Sequence, residues 1–208
     1  MQLRTTLTFV TLALSLAAVF GAAPPAKEFV DGQRQKFNTA GHAKAKGLEM
    51  TISYPNSWAV KEGERPNIVQ KFVSAGGRGL EMAVIITKSL PLPAGTTLTE
   101  NDLRELFTPA ELKGTIPDGA KFIDARSTKI EALPAGIVEY SLASERAGIG
   151  IDMQVISFVF IHRSTMVQFQ GHVTAPSGSS AGLAERMAEF KPLFTLMANS
   201  IVLQDKWR

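Results

Sequence analysis

Three histidines, one glycine-rich run and scattered serines and carboxylates are the residues of this chain whose chemistry invites a function. A zinc-type site needs three or four ligands converging on one point. A hairpin turning at Arg163-Ser164 sets His162 opposite residues near 165 and His172 opposite residues near 155. At ~3.3 Å per residue that separates the two rings by more than ~20 Å. They cannot share a metal, and His42 has no His or acid near it at ligand spacing. Nucleophilic catalysis needs a Ser or Cys beside a His and an orienting acid. The chain has no cysteine and no G-x-S-x-G elbow, and Ser177–Ser180 reads as a loop and helix cap. Gly76-Gly77-Arg78-Gly79 precedes no helix, so it lacks the helix N-terminus that anion binding uses and reads as a hairpin turn. Glu62 and Glu64 alternate with Lys61 and Arg65 in a charged loop, which points to solvation rather than paired acid/base work. Asp152 interrupts an apolar run but shares parity with Gln154. No catalytic residue, metal or cofactor is expected from these patterns.

The elements that must position any site are easier to read. Ile149–His162 and Thr165–Thr174 form one long antiparallel hairpin, expected at the centre of the only sheet. Leu48, Met50, Ile52 and Tyr54 alternate with polar residues, and Pro55-Asn56-Ser57 ends that strand. Further strands are expected over Asn67–Val73, Leu80–Thr87, Ala120–Ile130 and Gly136–Ala143, the last two joined around Leu133-Pro134. Thr99 with Asp102, and Thr108 with Pro109 and Glu111, are helix starts. Leu183, Met187, Phe190, Phe194, Met197 and Ile201 recur at steps of four and three, giving a final helix over about Ala181–Ile201 with an apolar stripe. Pro192 lies inside it and predicts a kink or a restart, because proline costs about 3 kcal/mol in a helix interior. The fold class expected is α+β, a single antiparallel sheet of about six to seven strands sandwiched by helices, with the long C-terminal helix packed on it.

Composition places few limits on partners. Hydrophobic residues make up 45% and charged residues 20%, enough for an ordinary core, and the formal charge of +3 is too small and dispersed to suggest nucleic acid. Residues 1–23 read as a secretory signal peptide: Arg4 supplies the positive end, Leu7–Phe20 the apolar stretch, and Gly21-Ala22-Ala23 the cleavage zone. The apolar stretch is short of the ~20 residues of a membrane span, so no stable span is expected once the signal is removed. Residues 24–46 read as a polar N-terminal arm, solvated or a short helix, in which only Phe29, Val30 and Phe37 suit burial. Residues 47–208 read as a single domain. With no cysteine, the exported fold relies on packing alone, and the expected location is periplasmic or secreted.

Two pieces together resemble a known family. A strand ending in Tyr54-Pro55-Asn56-Ser57-Trp58 follows a polar arm, and a C-terminal helix ends Pro192-Leu193-Phe194…Asn199-Ser200-Ile201-Val202. That order is similar to the PsbP-like domains, which include an extrinsic photosystem II subunit, a Ran-binding import factor and bacterial envelope proteins; the likeness covers about Gly47–Leu203. It implies an antiparallel sheet between helices and work by binding other proteins, and carries over no functional residue. The leader differs from a chloroplast transit sequence, so the bacterial members are the nearer comparison.

The function expected is a non-catalytic, monomeric protein-binding accessory module of the cell envelope, with an unknown protein partner. Trp58, at the exit of a turn beside Glu62 and Arg65, is the candidate contact patch, since Trp and Arg are enriched in binding hot spots; burial of Trp58 against the sheet end is the competing reading. Gln168 and Gln170 mark the less apolar face of the hairpin's second strand, open to a partner if no helix covers it. The alternatives are a carrier of a small apolar ligand, with Met50, Met82, Met153, Met187 and Met197 lining an adaptable pocket, and an enzyme whose polar residues are dispersed in sequence.

Overall fold

The computed structural model describes residues 24–93, 95–146 and 148–207. The expected leader therefore lies outside the described residues. In chain order the elements are α1 (Ala26–Val30), β1 (Arg34–Asn38), β2 (Met50–Pro55), β3 (Ala59–Glu62), β4 (Ile68–Val73), the one-turn α2 (Ser74–Gly77), β5 (Glu81–Ser89), α3 (Glu100–Leu106), α4 (Pro109–Lys113), β6 (Lys121–Ile130), β7 (Leu133–Arg146), β8 (Ile149–His162), β9 (Thr165–Pro176), α5 (Leu183–Asn199) and β10 (Val202–Leu203). The class is α+β, as the alternation and helical periods predict.

Seven strands form one antiparallel sheet in the order β3-β4-β5-β9-β8-β7-β6. The long hairpin sits at its middle, with His162 opposite Thr165 and Val155 opposite His172. Its first strand reads as a continuous apolar run because both faces of the sheet are covered. Ile156, Phe158 and Phe160 join the core under α5, while Val155, Val159 and Ile161 pack in a second cluster with Leu103, Phe107 and Leu112 of the α3–α4 region. At Gly171 on β9, α5 lies close over the sheet: a Cβ there would lie 2.3 Å from the Phe194 ring.

The helix signals in the sequence work as their chemistry requires. Thr99 and Asp102 form a reciprocal capping box at α3, and Thr108 caps α4 with Pro109 in its first turn. α5 buries Met187, Leu193, Phe194, Met197 and Ala198. Of the kink or restart expected at Pro192, the restart does not occur, since α5 is continuous from Leu183 to Asn199. The buried residues on either side hold it, and Pro192 itself is exposed. Its first turn also departs from expectation: the cap is Gly182 with φ 90° and no side-chain bond, rather than a serine of Ser177–Ser180.

Three other expectations need correction. The sheet is not the only one, because β2 leaves the large sheet and forms a three-stranded one in the order β1-β2-β10. The connection between β6 and β7 turns at Glu131 and Ala132, both left-handed (φ 52° and 64°). Pro134 lies inside β7, opposite Lys129 of β6 and beyond the end of the β8 pairing, a strand-start position where a missing amide is tolerated. The polar arm is likewise built into the fold. Arg34–Asn38 pairs along β2, Phe29 is 2% exposed in the main core, and Thr39 Oγ1 donates to Leu48 O at 2.5 Å. Val30, in contrast, is exposed.

Candidate functional site

Where the arm meets the C-terminal helix lies a groove of about 1080 Å³. Its walls come from five separate stretches: Pro24 to Gln33 around α1, the β2–β3 turn at Ser57-Trp58, the α2 turn at Ser74-Ala75, Glu81 at the start of β5, and Glu189-Phe190 on α5. The turn residues are there for local reasons. Pro55 and Asn56 reverse the chain, with Trp58 N donating to Pro55 O, so Trp58 folds back onto the helix. Its ring centroid lies 6.5 Å from Phe190 and 6.2 Å from Phe194. In α2, Ala75 and Gly76 take left-handed φ values of 51° and 63°, which turns the chain back into β5 and leaves Ala75 on the groove wall.

The floor is aromatic and the rim is acidic. Four carboxylates line the groove (Glu28, Asp31, Glu81 and Glu189) against one cation, Lys27. Lys27 pairs with Asp31 at 2.5 Å. Glu81 is buried, accepts from Ser74 Oγ at 2.8 Å, and is paired with Arg186 of α5. Glu28 takes two hydrogen bonds from Ser57, from its amide at 2.7 Å and its hydroxyl at 2.5 Å, and neither carries charge. Glu189 is exposed beside Phe190. Two carboxylates thus face the groove without a cation on them. The lining holds no histidine.

The residues singled out in the sequence are divided by the fold. Trp58 is 7% exposed and lies at the groove floor, whereas Glu62, at the far end of β3, is about 13 Å further along the strand. Glu62 pairs with Lys44 at 2.9 Å, which holds its carboxyl below the ordinary range, and Arg65 is exposed in the following loop. The structure does not gather the three into one patch. The methionines split as well: Met50, Met187 and Met197 are sealed in the main core, and Met153 packs on the other cluster. None of the five lines the groove.

Each histidine has its own setting. His42 Nδ1 accepts from the Lys44 amide at 3.2 Å. His162 Nε2 meets Asp205 at 2.8 Å, and Arg163 meets the same carboxylate at 2.7 Å; that pairing holds Asp205 below the usual carboxylate range. His172 lies on the sheet face opposite α5, in a polar row with Gln168, Gln170 and Ser157: Gln170 meets His172 at 3.1 Å, donates to Gln168 at 3.1 Å and reaches Ser157 Oγ at 3.4 Å. Burial pushes His172 down to about 4 and raises Tyr140 on β7, two strands away across β8. Among the described residues no group of three or more His, Asp or Glu is placed to hold a metal ion, and no helix is long and apolar enough to cross a membrane.

No protein-family model matches this chain, and no curated protein matches it. Among solved structures, a protein from Bacteroides thetaiotaomicron is 16% identical with a TM-score of 0.42, covering 82% of this chain and 48% of its own, so this chain spans about half its length. LpqN, involved in cell envelope biogenesis of Mycobacterium tuberculosis, is 15% identical with a TM-score of 0.43, covering 83% and 92%. The Saccharomyces cerevisiae Ran-binding protein Mog1p is 11% identical with a TM-score of 0.46, covering 82% and 95%.

Proposed function

We propose that this chain is a non-catalytic accessory module, exported to the periplasm or secreted as a monomer, which holds a segment of a partner protein in the groove between α1 and α5. The observation that supports this reading is the groove itself. A pocket for a small molecule is usually 300–1,000 Å³ and mostly enclosed. This one is about 1080 Å³ and stands open along the arm, which suits a stretch of polypeptide. Its lining carries neither histidine nor cysteine, in keeping with binding rather than covalent chemistry. The aromatic floor offers the buried anchor that protein interfaces concentrate their energy on.

A site-specific crosslinker tests it. A photoreactive residue at Ala75, on the groove wall, is expected to join the chain to one envelope protein in cells that express it with its own leader. The same residue at Asp118, exposed on a loop that contributes nothing to the lining, is expected to give no such product. Equal crosslinking from both positions, or none from Ala75, would overturn the reading. Size-exclusion chromatography of the purified chain is expected to return a monomer.

A further inference from the structure

The charge around the groove says what kind of segment fits it. Of the four carboxylates on the rim, Asp31 is neutralised by Lys27 and Glu81 by Arg186. Glu28 is held only by the Ser57 amide and hydroxyl, and Glu189 stands exposed next to Phe190. A partner group placed between α1 and α5 therefore meets two uncompensated negative charges. The same groove is lined by Trp58, Phe190, Pro24 and Pro25. A bare cation would leave that apolar floor wet, and an apolar chain would strip water from the carboxylates without replacing it. A guanidinium or ammonium on an aliphatic stem satisfies both, since its stem lies on apolar surface while its head stays with the acids. Arginine adds paired hydrogen bonds to a carboxylate and stacking on an aromatic face.

We propose that the groove selects a cationic protein segment, a stretch in which arginine or lysine alternates with apolar residues. This rests on the groove being a protein site. The partner's basic side chains lie against Glu28 and Glu189, and its apolar ones cover Trp58 and Phe190.

The test uses Trp58 as its reporter. The chain has two tryptophans, and Trp207 is 74% exposed, so Trp207→Phe leaves Trp58 emission alone. Three probes are titrated: a peptide alternating leucine and arginine, the same peptide with glutamine for arginine, and spermine. The arginine peptide is expected to shift Trp58 emission and to bind about tenfold or more tighter than the glutamine peptide, as charge-assisted bonds require. Glu189→Gln is a surface change that leaves the fold intact, and it should weaken the arginine peptide about threefold; adding Glu28→Gln should bring it to within about twofold of the glutamine peptide. Should Glu28→Gln lower the melting temperature, Glu189→Gln alone decides the matter. Equal binding of the two peptides removes the cation preference while leaving the groove as a protein site. Spermine binding as tightly as the peptide removes the protein segment as occupant. If no probe moves Trp58 emission the inference fails, and the Ala75 crosslink then judges the groove by itself.

Discussion

His172 and Gly171 are neighbours on β9 that point to opposite faces of the sheet, and the two faces ask different things of them. Gly171 sits under the Phe194 ring of α5, where no Cβ fits. His172 joins the polar row on the other face, and its ring is part-buried among Gln170, Val155 and Met82. Side chains alternate strictly along a strand, so His172 shares a face with Gln168 and Gln170. The glycine's role was hidden, since it depends on an aromatic ring 23 residues later in the chain. The depressed value of about 4 for His172 has a consequence for stability. The folded state holds the ring neutral, while the unfolded chain takes up a proton near 6.5. The unfolded state therefore binds more protons between those values, so the contribution is complete above pH 6.5 and is lost as pH falls toward 4. The ring keeps some contact with solvent, which reduces the loss to about 1–3 kcal/mol. Urea unfolding at pH 7 and pH 4.5 is expected to show that loss in the native chain, and a smaller one in His172→Gln. Equal losses would mean that other groups carry the pH dependence.

At the scale of elements, what could be read were the periods and the caps. The Thr99–Asp102 box, the Thr108-Pro109 start and the stripe on α5 are local patterns, and local physics decides them. What escaped were elements whose fate is set elsewhere. β1 has a single apolar residue facing inward, Phe37, so Arg34–Asn38 carries almost no alternation; it is a strand because β2 offers it an edge. The Glu131-Ala132 turn has no glycine or asparagine to announce two left-handed residues. Pro192 is the reverse case, a strong local signal overruled by packing. α5 continues past it because Leu193, Phe194 and Met197 are fully buried beyond it, yet the proline still withholds an amide from the carbonyl of Ala188. Pro192 is exposed, so replacing it should disturb no packing. Pro192→Ala is expected to stabilise the chain by about 1–3 kcal/mol, which for a domain of this size raises the melting temperature by about 2–12 °C. A variant that melts lower would show that the ring has a packing role that its exposure conceals.

At the scale of the whole molecule, the arm decides how the two sheets and the groove are held together. Glu28 ties α1 to the Ser57 turn, and Gln35 accepts from Tyr54 Oη at 2.7 Å. Lys44 reaches Glu62 and, at 2.5 Å, Gly63 O, while its own carbonyl takes the Thr87 hydroxyl. In sequence these residues read as a solvated lead-in because their partners are distant groups supplied by β2, β3, β5 and the turns beside them. The groove was illegible for the same reason: its walls come from five stretches, and of the candidate contacts only Trp58 belongs to it. Deleting residues 24–46 separates the two readings. A solvated arm would leave stability within about 0.5 kcal/mol. An integrated one removes Phe29 from the core, which by itself costs about 3–5 kcal/mol on the scale of buried phenylalanine truncations, and strips β2 of its longer neighbour, leaving only the two-residue pairing with β10. The expected result is a fall in urea midpoint corresponding to at least about 3 kcal/mol, together with loss of the arginine-peptide signal from Trp58, because one whole wall of the groove leaves with the arm. Phe29→Ala distinguishes the two effects. It should reproduce most of the stability loss yet retain peptide binding in the molecules that stay folded, since Phe29 packs beneath the groove while Lys27, Glu28 and Asp31 form its lining.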